Sequence, residues 1–221
     1  MFCVAGQLLE SAGMGFRDVV RTWIHVRDIG RDYDALNRAR RRYFEEHGVD
    51  LKPASTGVQG APCSPKHNLA LTFEAVSGSG ADLEVSAISG DTLNEAWSYG
   101  ADFSRGLRIV KPGSTTLQIS GTASIGEAGE TVAPGALELQ VDRMLTNIES
   151  LLASESACSN DIVSAITYLD DPADASRVRA IFDERGFSGF PSVMVAAKLC
   201  RPDLVCETEL VALAGGARED S

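Results

Sequence analysis

Glu207 is the residue in this sequence best suited to act as an acid. It lies in the run Leu204-Val205-Cys206-Glu207-Thr208-Glu209-Leu210, where strand alternation groups it with Val205 and Glu209 and puts Cys206, Thr208 and Leu210 on the other face. A carboxyl held among apolar groups can keep its proton near neutral pH and donate it. Arg21, Trp23, His25 and Arg27 share one face of another alternating run. Two arginines flanking an aromatic suit a dicarboxylate ligand, and they equally suit an exposed face of an antiparallel sheet. Arg105 in YGADFSRG is either a pocket residue at a junction or a surface arginine, and Tyr99 either bonds a ring hydroxyl or packs. In SGTAS, Gly121 and Thr122 close a strand where backbone amides could approach a ligand, or where the chain bulges or turns. Cys200, seven residues before Glu207, reads as a small buried filler.

A formal charge of -11 over 221 residues argues against nucleic acid as a partner, because binding phosphates takes a concentrated basic surface. The basic run Arg38 to Arg42, beside Glu45 and Glu46, reads as a solvated helix face. The first residues, MFCVAGQLLESAGMGF, lack the pattern of a secretion signal, and no apolar run is long enough to span a bilayer. A cytoplasmic protein with no membrane partner is therefore expected. The five cysteines are unevenly spaced and fit reduced thiols, and His25, His47 and His67 fall in unrelated contexts, so no metal site is expected.

These side chains need a scaffold, and the chain supplies one by repeating itself. Phe16 to Gly78 and Asn160 to Gly215 run through the same order of elements. The strand FRDVVRTWIHVRDI matches NDIVSAITYLDD, and the helix YDALNRARRRYFEEHGV matches DASRVRAIFDERGF, with Phe44 against Phe182. Proline-led strands follow, PASTGVQG and PSVMVAAKL, and the closing strands HNLALTFEAVSG and DLVCETELVALAGG set Glu74 against Glu209. In that alignment Glu207 falls near Thr72, so it is an acid the repeat does not require.

Ahead of the second copy, LRIVKPGSTTLQISGTASIG reads as strand, turn, strand. LELQVDRMLTNIESLLAS reads as a helix burying Leu137, Val141, Met144, Leu145, Ile148 and Leu152. The second copy is thus β-β-α-β-α-β-β. The first lacks the hairpin and, apart from a tail supplied by QLLESAG, the first helix. The expectation is an α+β fold with residues 1–78 as a half unit, 79–104 as linker and connecting strand (SGSGAD from Ser77 to Asp82, then LEVSAIS), and 105–221 as a complete unit. A half unit leaves a sheet edge and an apolar face uncovered. A homo-oligomer with trimer-like packing, or a chain shortened at its amino terminus, would follow.

The second unit resembles the RidA/YjgF family in ISGTAS, in the helix with Gln140 and Asn147, in PSVMVAAKL and in ETELVALA. That resemblance implies a chorismate-mutase-like sheet packed on two helices. Imine-deaminating members carry an arginine just after the proline of the PSVMVAAKL strand, where this chain has Ser192 and Val193. RTWIHVRDIGRDYDALNRARRRYF with PASTG, NEAWSYGADFSRG and ISGTAS extends the likeness over nearly the whole chain, to the chorismatases, which are double-unit relatives of RidA.

The chorismatase resemblance implies an enzyme that removes the enolpyruvyl group of chorismate, giving pyruvate with 3-hydroxybenzoate or a dihydroxycyclohexadiene carboxylate. No cofactor or metal is called for. It implies Glu207 as the proton donor, Arg21 as a carboxylate contact, Tyr99, Arg105, Gly121 and Thr122 around the substrate, and Cys200 as a mark of the 3-hydroxybenzoate-forming type. A RidA-like deaminase and a non-catalytic ligand-binding homologue are the alternatives.

Overall fold

The computed structural model describes residues 1–78 and 82–215, so residues 79–81 of the expected linker lie outside the described residues. Each copy of the repeat folds in the same way. In the first, strand β1 (Val19–Val26) leads through helix α2 (Ile29–Glu46) to a parallel neighbour β2 (Ala54–Gln59), and β3 (Leu69–Ala75) returns antiparallel on the other side of β1. In the second, β7 (Ile162–Leu169), α4 (Ala175–Glu184), β8 (Ser192–Ala196) and β9 (Cys206–Ala214) repeat that pairing. Both copies open on a 3-10 turn whose aspartate, Asp18 or Asp161, accepts a hydrogen bond from the backbone three residues earlier. Both then carry a bulge one residue into the strand, at Val19/Arg21 and Ile162/Ser164.

Those matched bulges fix the correspondence residue by residue. Arg21 lies opposite Glu74, and its counterpart Ser164 lies opposite Val211. The structural partner of Glu74 is therefore Val211, two residues beyond the Glu209 assigned by sequence alignment. Glu209 corresponds to Thr72 and Glu207 to Ala70. Neither acid is demanded by the repeat.

In the second unit, β5 (Gly106–Lys111), β6 (Ser114–Ala123) and α3 (Leu137–Ala153) precede β7, as expected, and β4 (Glu84–Ile88) pairs with β5 at the sheet edge. The strand orders are β2-β1-β3 and β4-β5-β6-β9-β7-β8. All six residues expected on the inner face of α3 are buried, with Leu151 beside them. Each contributes roughly 1.5–3 kcal/mol by leaving water. The polar residues on that face tie down the site: Asn147 donates to the carbonyls of Ala123 (3.1 Å) and Ile125 (2.9 Å). Gln140 donates to Asp203 O (2.7 Å) and accepts from Val205 N (2.9 Å). The ends of β6 and β9 are thereby pinned to one helix.

The first unit carries more of its first helix than a tail. Helix α1 (Phe2–Ser11) buries Phe2, Ala5 and Leu9 against Phe16, Tyr43 and Phe44. Its outer residues Val4 and Leu8 remain exposed beside Leu69, Leu71 and Phe73 of the edge strand β3. Among the described residues, no helix is long and apolar enough to cross a membrane.

Candidate active site

The two sheets meet where β2 crosses the end of β6, and polar groups stitch that seam. Ser55 N donates to Ser120 Oγ (2.9 Å), which donates to Ser104 O (2.5 Å). Gly121 N donates to Thr56 Oγ1 (3.0 Å). The ladder between β6 and β9 shifts register between Ile119 and Thr122, so Gly121 sits in a bulge. There glycine also makes room: a Cβ built on Gly121 would lie 1.9 Å from Glu207 Oε1. The carboxyl of Glu207 occupies the space a side chain would need.

Above this seam lies a cavity of about 420 Å³, within the size range of small-molecule sites. Helix α2 contributes Tyr33, Leu36, Asn37, Arg40 and Arg41, and β2 contributes Ser55 and Gly57. Arg105 and Phe103 close one side, Gly121, Ala123 and Ile125 form the floor, and Cys200, Arg201, Leu204 and Glu207 complete the wall. Both units build the site, so neither alone encloses it.

Glu207 is 5% exposed. Burial pushes its carboxyl up to about 8, the charge of Glu209 adds to the rise, and Arg21 and Arg105 oppose it. It therefore holds its proton at neutral pH. Cys200 is pushed up to about 12, by burial first and then by Glu207, so it enters as a neutral thiol. Tyr33, beside it, is also raised by burial and remains a hydroxyl.

Positive charge dominates the rest of the wall. Arg38, Arg40, Arg41, Arg105 and Arg201 line the cavity against two acids, Asp34 and Glu207. Arg41 is offset by Asp102 (3.1 Å), an ion pair that fastens the Gly100–Arg105 segment to α2. Arg40 is 3% exposed and donates to the neutral Asn37 (2.8 Å) and Ser55 (3.3 Å), and among the described residues its buried Nε has no partner. Burial lowers its pKa. A guanidinium so placed favours an anionic ligand.

The sequence expectations divide against this geometry. Glu207, Cys200, Arg105 and Gly121 line the cavity. Thr122 turns to the opposite face, buried opposite Thr208, and donates to Ser120 O (2.9 Å). Arg21 does bind a carboxylate, but it is the protein's own: Nη2 lies 2.8 Å from Glu209 Oε2. Arg27, beyond the end of β1, binds the carbonyls of Ser64 and His67 instead of sharing a ligand face. Tyr99 closes a 3-10 turn, and its side chain lies outside the described residues. The run Arg38 to Arg42 is not a uniform solvated face, because Arg38, Arg40 and Arg41 reach the cavity and only Arg42 pairs with Glu46 away from it. Ser192 and Val193 lie exposed on the edge strand β8, away from the cavity.

No family model matches the sequence, and no curated protein matches it. Among solved structures, YyfA from Yersinia pestis, a protein of the Rid family, has a TM-score of 0.50 at 21% identity over 58% of this chain and 98% of its own. The yeast protein YEO7 reaches 0.52 at 14% identity over 60% of this chain and all of its own. The fold is thus of the Rid type in more than half of the chain. Over almost its full length it is the fold of a chorismatase: a crystal structure of that enzyme has a TM-score of 0.81 at 23% identity, covering 95% of this chain and 67% of the other.

Proposed function

We propose that this protein cleaves chorismate to pyruvate and a hydroxylated ring acid, with Glu207 as the proton donor. The observation that carries the reading is a carboxyl, Glu207, buried on the wall of an arginine-lined cavity, where burial raises its pKa. Chorismate is a dicarboxylate, and its two charges suit a wall where Arg40 and Arg105 are both buried. The likeness to the chorismatase fold supports the same choice.

In the proposed reaction, the proton of Glu207 goes to the methylene carbon of the enol ether, leaving an oxocarbenium ion and the Glu207 carboxylate. The positive charge forms beside that new carboxylate, which stabilises it. If water adds, the resulting hemiketal returns a proton and breaks the ether bond, giving pyruvate and the dihydroxycyclohexadiene carboxylate. If the ring hydroxyl adds, a cyclic ketal forms. That hydroxyl's own ring C–O bond then breaks, the neighbouring ring carbon returns a proton to the Glu207 carboxylate as the ring aromatises, and the remaining hemiketal collapses. All substrate atoms thus end in pyruvate and 3-hydroxybenzoate, with no net water. The small neutral thiol of Cys200 and the apolar lining of Ala123, Ile125 and Leu204 support the second course.

Two results are expected. Turnover is lost as pH rises through about 8, because the acid must carry its proton; a profile flat to well above that value would rule out Glu207. Arg40→Met is expected to weaken chorismate binding roughly 10- to 100-fold, the worth of hydrogen bonds to a charged group. Calorimetry on the Glu207→Gln background, where substrate should persist, measures it.

A further inference from the structure

Behind the acid lies a second carboxylate that does not touch the cavity. Glu209 is two residues along β9 and 4% exposed. Arg21 Nη2 donates to its Oε2 (2.8 Å) and Trp23 Nε1 to its Oε1 (2.7 Å), both from strand β1 of the first unit. The same Arg21 Nη2 donates to Thr56 Oγ1 (2.7 Å), and Thr56 Oγ1 accepts from Gly121 N (3.0 Å). Gly121 is the residue on which the carboxyl of Glu207 rests. One buried chain of contacts therefore runs from Glu209 through Arg21, Thr56 and Gly121 to the acid, and its middle links come from the other unit.

We infer that Glu209 is the positioning residue for Glu207, seating the acid on Gly121 through Arg21 and Thr56 and setting a second carboxylate two residues along the same strand. The inference rests on Glu207 being the proton donor, as proposed above. Two observations raise it above ordinary strand packing. Glu209 has no acidic counterpart in the first unit, where Thr72 takes its place. Burying an ion pair is also a poor way to stabilise a fold, since desolvation offsets most of the attraction. Glu209 is the largest influence on the Glu207 carboxyl after burial itself. The other groups that act on Glu207 or feel its charge are Arg21 from β1, Arg105 ahead of β5, Tyr168 on β7, Tyr33 on α2, Cys200, and Cys206 on its own strand.

The signs separate tuning from simple support. Glu209→Gln removes the negative neighbour and leaves Arg21 uncompensated, and both changes favour the Glu207 carboxylate. The Glu207 titration should fall by about one pH unit or more. Glu209→Asp keeps the charge and should restore the titration towards that of the unsubstituted protein. Arg21→Gln removes the cation and should move the last carboxyl proton of the pair to higher pH. A purely structural role would give no such opposite pair of shifts.

The experiment is infrared difference titration of the full chain without substrate, with the Glu207 band assigned by its loss in Glu207→Gln. The pH profile of pyruvate release from chorismate is recorded beside it. Opposite shifts for Glu209→Gln and Arg21→Gln support the inference, and matching shifts in the rate profile extend it to turnover. Opposite infrared shifts in a protein that leaves chorismate untouched support the coupling while refuting the proposed reaction. An unmoved Glu207 band in Glu209→Gln overturns the inference, whatever the rates. If Glu209→Gln does not fold, Arg21→Gln and Glu209→Asp decide alone: an unmoved band in Arg21→Gln overturns it.

Discussion

Glu207→Gln is expected to yield a protein that is more stable at neutral pH and that no longer releases pyruvate from chorismate. The carboxyl stands at about 8 in the folded chain against 4.5 for an unperturbed glutamate. Above pH 4.5 the unfolded chain ionises this group while the folded chain still binds the proton. Stability is therefore lost as pH rises from 4.5 and levels off above about 8. Glutamine has the same shape and no proton to lose, so the variant escapes a cost on the order of 3 kcal/mol at pH 7. Rate should fall by roughly 10²- to 10⁴-fold, the usual worth of a general acid, which leaves no detectable pyruvate over the time in which the unsubstituted chain consumes its substrate. Thermal melts at pH 5 and pH 7 beside a pyruvate assay test both halves: the stability gain should appear at pH 7 and shrink at pH 5. A variant that is inactive because it is unfolded, or one that keeps full turnover, contradicts the role given to Glu207.

Gly121→Ala should abolish the same reaction by a different route. The added methyl would lie 1.9 Å from Glu207 Oε1 and 3.2 Å from Thr56 Cγ2, so the carboxyl must leave its seat. Arg40, Ser55 and the rest of the floor, Ala123 and Ile125, are not among the groups the methyl would meet. Binding should thus survive better than turnover, with kcat lowered roughly 100-fold or more by misplacing the acid and KM changed little. Overpacking should also lower stability by about 1–3 kcal/mol, the opposite sign to Glu207→Gln. Two inactive variants with opposite stability changes would distinguish a displaced acid from a deleted one. Equal activity in Gly121→Ala would mean that the carboxyl works from some other position.

The scaffold was largely legible because its signals are periodic. The inner face of α3 follows helical spacing, and the repeat preserves element order through α2 and α4 even though their lengths differ. That Glu207, Gly121, Arg105 and Cys200 would come together around one cavity was legible because strand alternation and motif likeness act over short distances. Arg40 was not, since the run from Arg38 to Arg42 looks like a charged surface. A signal was present all the same: Arg40 lies four residues after Leu36 and four before Phe44, on the face that α2 buries. The pairing of Arg21 with Glu209 could not be read at all, because it depends on how β1 lies across β9. The two-residue slip that matched Glu74 to Glu209 has the same origin: alternation preserves the face through a shift of two, and only the bulges at Val19/Arg21 and Ile162/Ser164 fix the register.

Whether the protein acts on chorismate through Glu207 is tested most directly by incubating the purified chain with chorismate and separating the products by chromatography. The expected result is pyruvate in equal amount with 3-hydroxybenzoate or the dihydroxycyclohexadiene carboxylate, formed by the unsubstituted chain and absent with Glu207→Gln. Chorismate recovered intact from the folded protein at pH 7, or pyruvate released as fast by Glu207→Gln, would contradict it.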